Sequence, residues 1–331
     1  MKNLLKIFLL LILITQVPTS CTGPKMASKK QKARHLTSFE LQTLAYSILP
    51  VMMPYNRWID PAGQQIYFGD KENENHALDC AVSPDEKWIA IEGRYSVVII
   101  SSETNKIVHR IVLRDIFGKA NAMGTYSGIK WQNENGENKL YFSVSGSGGK
   151  SYVVKANWDN KKLDVAKTYT FDAVNPAKNP LANELVISEE NGKTFLYVVL
   201  NGNNTLEKIN TNTGETVWSV PTGVAPFGIT KASGKLYVTN WAGGVPEKND
   251  KNVAGIPWGN AKIDPGTGAT REGTVSVFNP ADGKLLKEVV VGLHPNDIIS
   301  SPDEKFVYVS NANSDEISVI NTNTDEINEN I

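Results

Sequence analysis

An all-β fold made of repeated four-stranded sheets is what this sequence predicts, on three observations. Short runs of aromatic and β-branched residues, closed by a polar residue, recur: Trp88-Ile-Ala-Ile-Glu92, Tyr141-Phe-Ser-Val-Ser145, Tyr197-Val-Val-Leu-Asn201, Tyr237-Val-Thr-Asn240 and Tyr308-Val-Ser-Asn311. That composition at strand spacing suits half-buried strands. Polar turns between apolar ends recur at Ile100–Val108, Ile209–Val217, Phe278–Leu286 and Ile320–Asn328, with a weaker copy at Ala156–Asp164. Their Asn, Asp and Gly residues tolerate the positive φ of tight turns, so each reads as a β-hairpin. No long stretch carries a helical apolar period. Such units cannot bury their faces alone. Repeating as Tyr197 and Tyr237 do, 40 residues apart, they are expected to stack radially as blades of a β-propeller.

The elements follow in order. Residues 1–20 read as an export signal, because Ile7–Ile14 is an unbroken apolar run of 8 residues. That is far short of the roughly 20 residues that span a bilayer. Ser20 before Cys21 resembles a bacterial lipobox, with Cys21 as the acylated residue, although Pro18 stands where that pattern favours an aliphatic side chain. A cleaved secretory signal and a retained anchor are the alternatives. Cleavage removes Lys2 and Lys6, leaving 34 − 2 = 32 basic against 35 acidic residues, a net charge of -3. Residues 21–54 read as a lipid-anchored tether whose Lys25, Lys29, Lys30, Lys32 and Arg34 add attraction to anionic headgroups. Thr37 and Glu40 form a capping box for a short helix ending before Pro50. With Cys21 acylated, Cys80 is a lone thiol in a strand-like run and is expected to be buried and inert.

Residues 55–331 carry the propeller, with five blades expected to start near His76, Tyr126, Asn179, Val224 and Leu293. Gln64–Asp70 reads as a strand that closes the ring. Residues 243–271, rich in Gly, Pro and Asn, read as an insertion between the second and third strands of the fourth blade. They account for the 71 residues between Tyr237 and Tyr308. Trp241, Trp258 and Arg271 are its candidate binding residues, since long loops on rigid repeats carry function.

Tyr237-Val238-Thr239-Asn240, echoed by Tyr308-Val309-Ser310-Asn311, gives the chain a resemblance to the YVTN-repeat β-propeller family. The resemblance covers roughly residues 55–331 and implies about seven blades, locked by an N-terminal strand. Five blades then imply an incomplete ring and an N-terminal portion of a longer protein; a complete five-bladed ring is the alternative. The order of segments also resembles the front half of bacterial exported proteins that join such a propeller to an alkaline-phosphatase-like phosphoesterase domain. That resemblance implies a metal-dependent catalytic half beyond residue 331.

Chemistry is sparse. A balance of 34 Lys+Arg against 35 Asp+Glu excludes the basic footprint of a duplex nucleic-acid binder. Two cysteines exclude a disulfide-stapled scaffold. Gly149-Lys150-Ser151 ends like a phosphate-binding loop, but Val144 replaces the required glycine, so it reads as a hairpin turn. Thr213-Gly214 with Trp218 reads as a hairpin beside a core tryptophan. One constellation survives. Aligning Ser83 with Ser301 superposes His76 on His294 and Asp79 on Asp297, and Glu184 joins them when Ser188 is matched. These residues open the innermost strands and so are expected to ring the channel mouth, as a site for a divalent cation or a polar ligand. A spacing of three argues against one shell holding both His and Asp.

The sequence thus predicts an exported, lipid-anchored binding scaffold with no self-contained catalytic site, taking a protein, glycan or peptide ligand on one propeller face. The alternatives are the propeller part of a phosphoesterase and a lactonase-like hydrolase working through a channel metal.

Overall fold

The computed structural model describes residues 51–53, 57–60, 63–68, 76–118, 122–257 and 259–331. The signal over residues 1–20, Cys21, the helix over Thr37–Leu49 and Trp258 lie outside the described residues. Contacts divide the chain into two units, Met1–Gln65 and Ile66–Ile331. In the first, β1 (Val51–Met53) pairs antiparallel with β2 (Arg57–Ile59).

The second unit is a series of four-stranded antiparallel sheets, each strand pairing with the next in the chain except where a separate hairpin interrupts the fourth sheet. The first sheet holds β3 (Ala77–Val82), β4 (Trp88–Gly93), β5 (Ser96–Ser101) and β6 (Lys106–Val112). A single helical turn, α1 (Leu113–Phe117), leads to β7 (Met123–Glu134), β8 (Glu137–Ser145), β9 (Lys150–Trp158) and β10 (Leu163–Asp172). The third sheet comprises β11 (Ala182–Glu190), β12 (Lys193–Leu200), β13 (Thr205–Asn210) and β14 (Thr216–Pro221). In the fourth, β15 (Pro226–Ala232) and β16 (Lys235–Asn240) precede a separate hairpin, β17 (Val253–Ile256) with β18 (Gly259–Lys262). The sheet then resumes with β19 (Gly273–Phe278) and β20 (Leu285–Val291). The fifth is β21 (Pro295–Ser300), β22 (Phe306–Asn311), β23 (Glu316–Asn321) and β24 (Glu326–Asn330).

Local chemistry explains the turns. Ser83 Oγ donates to Asp85 (2.6 Å) and accepts from Trp88 N (3.0 Å), and Ser301 repeats both bonds with Asp303 (2.8 Å) and Phe306 N (3.1 Å). The Ser-Pro-Asp-Glu segments are thus one turn used twice. The Gly149-Lys150-Ser151 stretch runs from a hairpin turn into β9.

The cores lie between sheets, which is why no sheet stands alone. Val97 and Ile99 of the first sheet pack with Ile129, Phe142 and Trp158 of the second. Tyr141 and Phe171 then meet Leu185 and Leu196. Val199 and Leu206 meet Ile229 and Phe278, and Val275 and Val277 meet Ile298 and Val309. Each such aliphatic side chain contributes roughly 1.5–3 kcal/mol when fully buried. The innermost strands β3, β7, β11, β15 and β21 neighbour one another in that order. The fold is a β-propeller of four-stranded blades, and no closed ring is present among the described residues.

The recurrent tyrosine is anchored to a carboxylate in each of three blades. Tyr141, Tyr197 and Tyr237 are fully buried. Their hydroxyls donate to Glu134 (2.5 Å), Glu190 (2.5 Å) and Asp325 (2.6 Å), acids that also pair with Lys155, Lys208 and Lys235. Asp325 belongs to the next blade, so Tyr237 ties the fourth blade to the fifth.

Three expectations need correction. Trp88 does not occupy the tyrosine position. Ala90, opposite Ala81, stands where Tyr141 stands opposite Lys130 and Tyr308 opposite Ile299, so Glu92 takes the place of Ser143, Thr239 and Ser310. Residues 64–68 form no strand, and the fifth sheet already carries a fourth strand of its own in β24. Cys80 is exposed rather than buried. Its equivalents Ile129, Leu185, Ile229 and Ile298 pack against the preceding blade, and among the described residues no four-stranded sheet precedes the first one to cover that face.

Candidate functional site

The site grows from one repeated irregularity. The innermost strand of every blade breaks register near its start, between Ala77 and Asp79, Gly124 and Ile129, Ala182 and Leu185, Pro226 and Ile229, and Pro295 and Ile298. A β-bulge turns side chains out of the sheet's alternation and re-aims them. Here the bulges line one cavity of about 330 Å³, with Asp79 from the first blade, Ser127 from the second, Glu184 from the third, Gly228 from the fourth and Asp297 from the fifth. Tyr126, which is 75% exposed, the half-buried Phe227, Leu78 and Asn296 complete the lining.

Neighbouring blades lock these bulges. Ser143 Oγ donates to Asn183 O (2.5 Å). Thr239 Oγ1 accepts from Gly228 N (2.7 Å) and donates to Asn296 O (3.0 Å). Glu92 accepts from Thr125 N (3.0 Å). The packing is close enough to require glycine at two bulges. Gly128 sits at φ 118°, where a side chain would meet Asn183 O, and a Cβ on Gly228 would lie 2.5 Å from Asn296 O.

Three of the five residues expected at the channel mouth come together. Asp79 accepts from Cys80 N (2.7 Å), Gly128 N (2.9 Å) and Ile129 N (3.4 Å), spanning the first and second blades. Glu184 pairs with Lys130 at 3.0 Å and accepts from Leu185 N (3.2 Å). Asp297 accepts from Ile298 N (2.8 Å). Burial outweighs the Lys130 ammonium at Glu184, and with the Asp79 charge it pushes that carboxyl up to about 7. At Lys130, burial works the other way, yet the Glu184 contact and the charges of Asp79 and Asp297 hold the ammonium above its usual value. Behind them Glu92 is fully buried. Desolvation first, then the Asp79 charge, push its carboxyl well above the usual carboxylate range, and its Oε2 has no partner among the described residues.

The histidines stand elsewhere. His76 is exposed at the entry to β3. His294, at φ 54°, stacks on Trp241 with centroids 3.8 Å apart and planes 6° from parallel, and its Nε2 lies 2.5 Å from Thr270 Oγ1. It clamps the insertion to the fifth blade instead of facing the cavity. Among the described residues no group of three or more His, Cys, Asp or Glu side chains is placed to hold a metal ion. Trp241 therefore presents one ring face to His294, while Arg271 is exposed. Trp218 packs at the joint of the third and fourth blades, its indole N–H donating to Pro280 O (3.3 Å).

Lys130, Ser127 and Glu92 escaped the sequence reading. A signal for Glu92 was available. Laying Ser83-Pro-Asp-Glu over Ser301-Pro-Asp-Glu places Glu92 on Ser310, a carboxyl where the second, fourth and fifth blades keep a small hydroxyl and the third keeps Val199.

No protein-family model matches the sequence, and no curated protein matches it. Among solved structures, a chain of the mitotic checkpoint complex is similar at 12% identity and a TM-score of 0.51, over 80% of this chain and 68% of that one. A protein of unknown function from Bacteroides caccae is similar at 12% identity and 0.49, over 80% of this chain and 84% of the other. The dihydro-heme d1 dehydrogenase NirN is similar at 17% identity and 0.46, over 76% of this chain but only 47% of its own. At such identities the likeness concerns the fold alone.

Proposed function

We propose that this chain is an exported, lipid-anchored β-propeller of the YVTN type that works by binding, not catalysis, and takes a protein, peptide or glycan ligand at the mouth of its channel. The observation carrying this reading is the shared cavity. Five blades each bulge at one register, and the bulges together line a polar recess flanked by Tyr126 and Phe227. Recesses with a few convergent polar groups on a rigid scaffold are the usual seats of ligands.

Thermal-shift screening of the full chain against peptide and glycan libraries tests it. A ligand at 100 times its Kd raises stability by about 2.7 kcal/mol. Phe227→Arg, which crowds the recess, is expected to abolish the shift; ligands bound equally well by that variant overturn the reading. The anchor is checked separately, since a fatty-acid label should enter the chain and be lost in Cys21→Ser.

A further inference from the structure

Resting on the reading above, we propose that the ligand is a peptide, and that it seats one compact apolar side chain, of leucine or phenylalanine size, in a second cavity beside the channel mouth. This cavity holds about 150 Å³ and lies at the joint of the second and third blades. Met123 at the start of β7 and Leu181 just ahead of β11 form its walls with Tyr126 and Phe227. Those last two residues also line the channel-mouth recess, so the two spaces adjoin.

The chemistry of the walls sets the class of occupant. The polar side chains of this second cavity are already engaged. Thr125 Oγ1 donates to Ser127 O (3.1 Å), Asn183 Nδ2 to Phe227 O (3.1 Å) and Asn201 Nδ2 to Pro226 O (2.9 Å), while Ser145 Oγ accepts from Asn179 Nδ2 (3.1 Å). What the cavity presents to an occupant is predominantly hydrocarbon, whereas the neighbouring recess mixes polar and apolar surface in comparable amounts. An apolar cavity of about 150 Å³ offers water too few partners and takes a small hydrocarbon such as benzene. Burying a compact apolar group there is favourable, and burying a hydroxyl there is not. A peptide brings both halves of the match, a polar main chain for the recess and a hydrocarbon side chain for its neighbour. A glycan carries hydroxyls on every ring and fits the recess alone.

Calorimetry on the full chain with benzene tests the inference, with N-acetylleucinamide, N-acetylserinamide and methyl glucoside as competitors. Benzene is expected to bind and N-acetylleucinamide to displace it, while the other two compete at least tenfold more weakly. Leu181→Asn and Met123→Gln, each close in size to the residue replaced, are expected to weaken benzene at least tenfold. Neither residue lines the channel-mouth recess. Leu181 sits at φ 51°, as Ala225 and His294 sit at 54° ahead of the next two innermost strands. Asparagine adopts that left-handed backbone readily, so the Leu181 variant keeps the local fold. No heat from benzene, equal displacement by N-acetylserinamide or methyl glucoside, or undiminished binding by either variant overturns the inference. If a library ligand is blocked by Phe227→Arg while benzene fails to bind, the mouth remains a binding site and only the apolar side-chain assignment falls.

Discussion

Ile298 and Ile299 are neighbours in β21, and radial packing assigns them opposite fates. Ile298 is 4% exposed in the core between the fourth and fifth blades, whereas Ile299 is 58% exposed on the fifth blade's other face. Truncating a buried isoleucine to alanine removes its transfer energy and leaves a cavity, together about 2–5 kcal/mol. The same change on an exposed face stays within about 0.5 kcal/mol. For a domain of this size each kcal/mol moves the melting midpoint by roughly 2–4 °C, so Ile298→Ala should fall roughly 4–20 °C and Ile299→Ala at most about 2 °C. Paired thermal and urea melts monitored by tryptophan fluorescence read the contrast. Equal losses at the two positions, or a larger loss at Ile299, would refute sheet-on-sheet stacking of the fourth and fifth blades.

Further outcomes follow from the same geometry. The Glu184 carboxyl rises from its ordinary 4.5 to about 7 in the folded chain, so its contribution is fully present below about pH 4.5 and is lost as pH climbs through 7. That loss is on the order of 3 kcal/mol, and Glu184→Gln should flatten the difference between urea midpoints at pH 5 and pH 8. Tyr237→Phe removes a hydrogen bond to a carboxylate shared with Lys235 and should cost about 1.5–3 kcal/mol in chemical denaturation. Tyr308, whose hydroxyl has no partner among the described residues, should tolerate the same change within about 0.5 kcal/mol. Cys80 should react with a disulfide reagent in the native state. Its rate at pH 7 should lag behind a free thiol's, because partial burial and then the Asp79 charge raise its pKa.

Strands and turns were legible because their causes are local. Alternation of Val, Ile and Tyr with small polar residues, and Asx or Gly at positive φ, act within a few residues and repeat with each blade. The Tyr-Val-Thr-Asn strand declared its own role, with Tyr237 at an inter-blade joint, Val238 in a core, and Thr239 and Asn240 bonding buried neighbours. The candidate site was half legible. Asp79, Glu184 and Asp297 could be matched by repeat position, but a bulge decides which way a side chain points, and bulges leave little trace in residue type.

What the sequence determined alone was the repeating sheet and the chemistry of its turns, since these depend on neighbours along the chain. Tertiary structure decided the rest. Cys80 is exposed because no four-stranded sheet among the described residues covers its face of the first blade. His294 lies on Trp241 because the insertion folds back to meet it. Lys130 and Ser127 join the acids because separate blades converge there. Burial, charge and satisfaction of polar groups are properties of what packs across a gap, and the chain order does not contain that information until the blades are assembled.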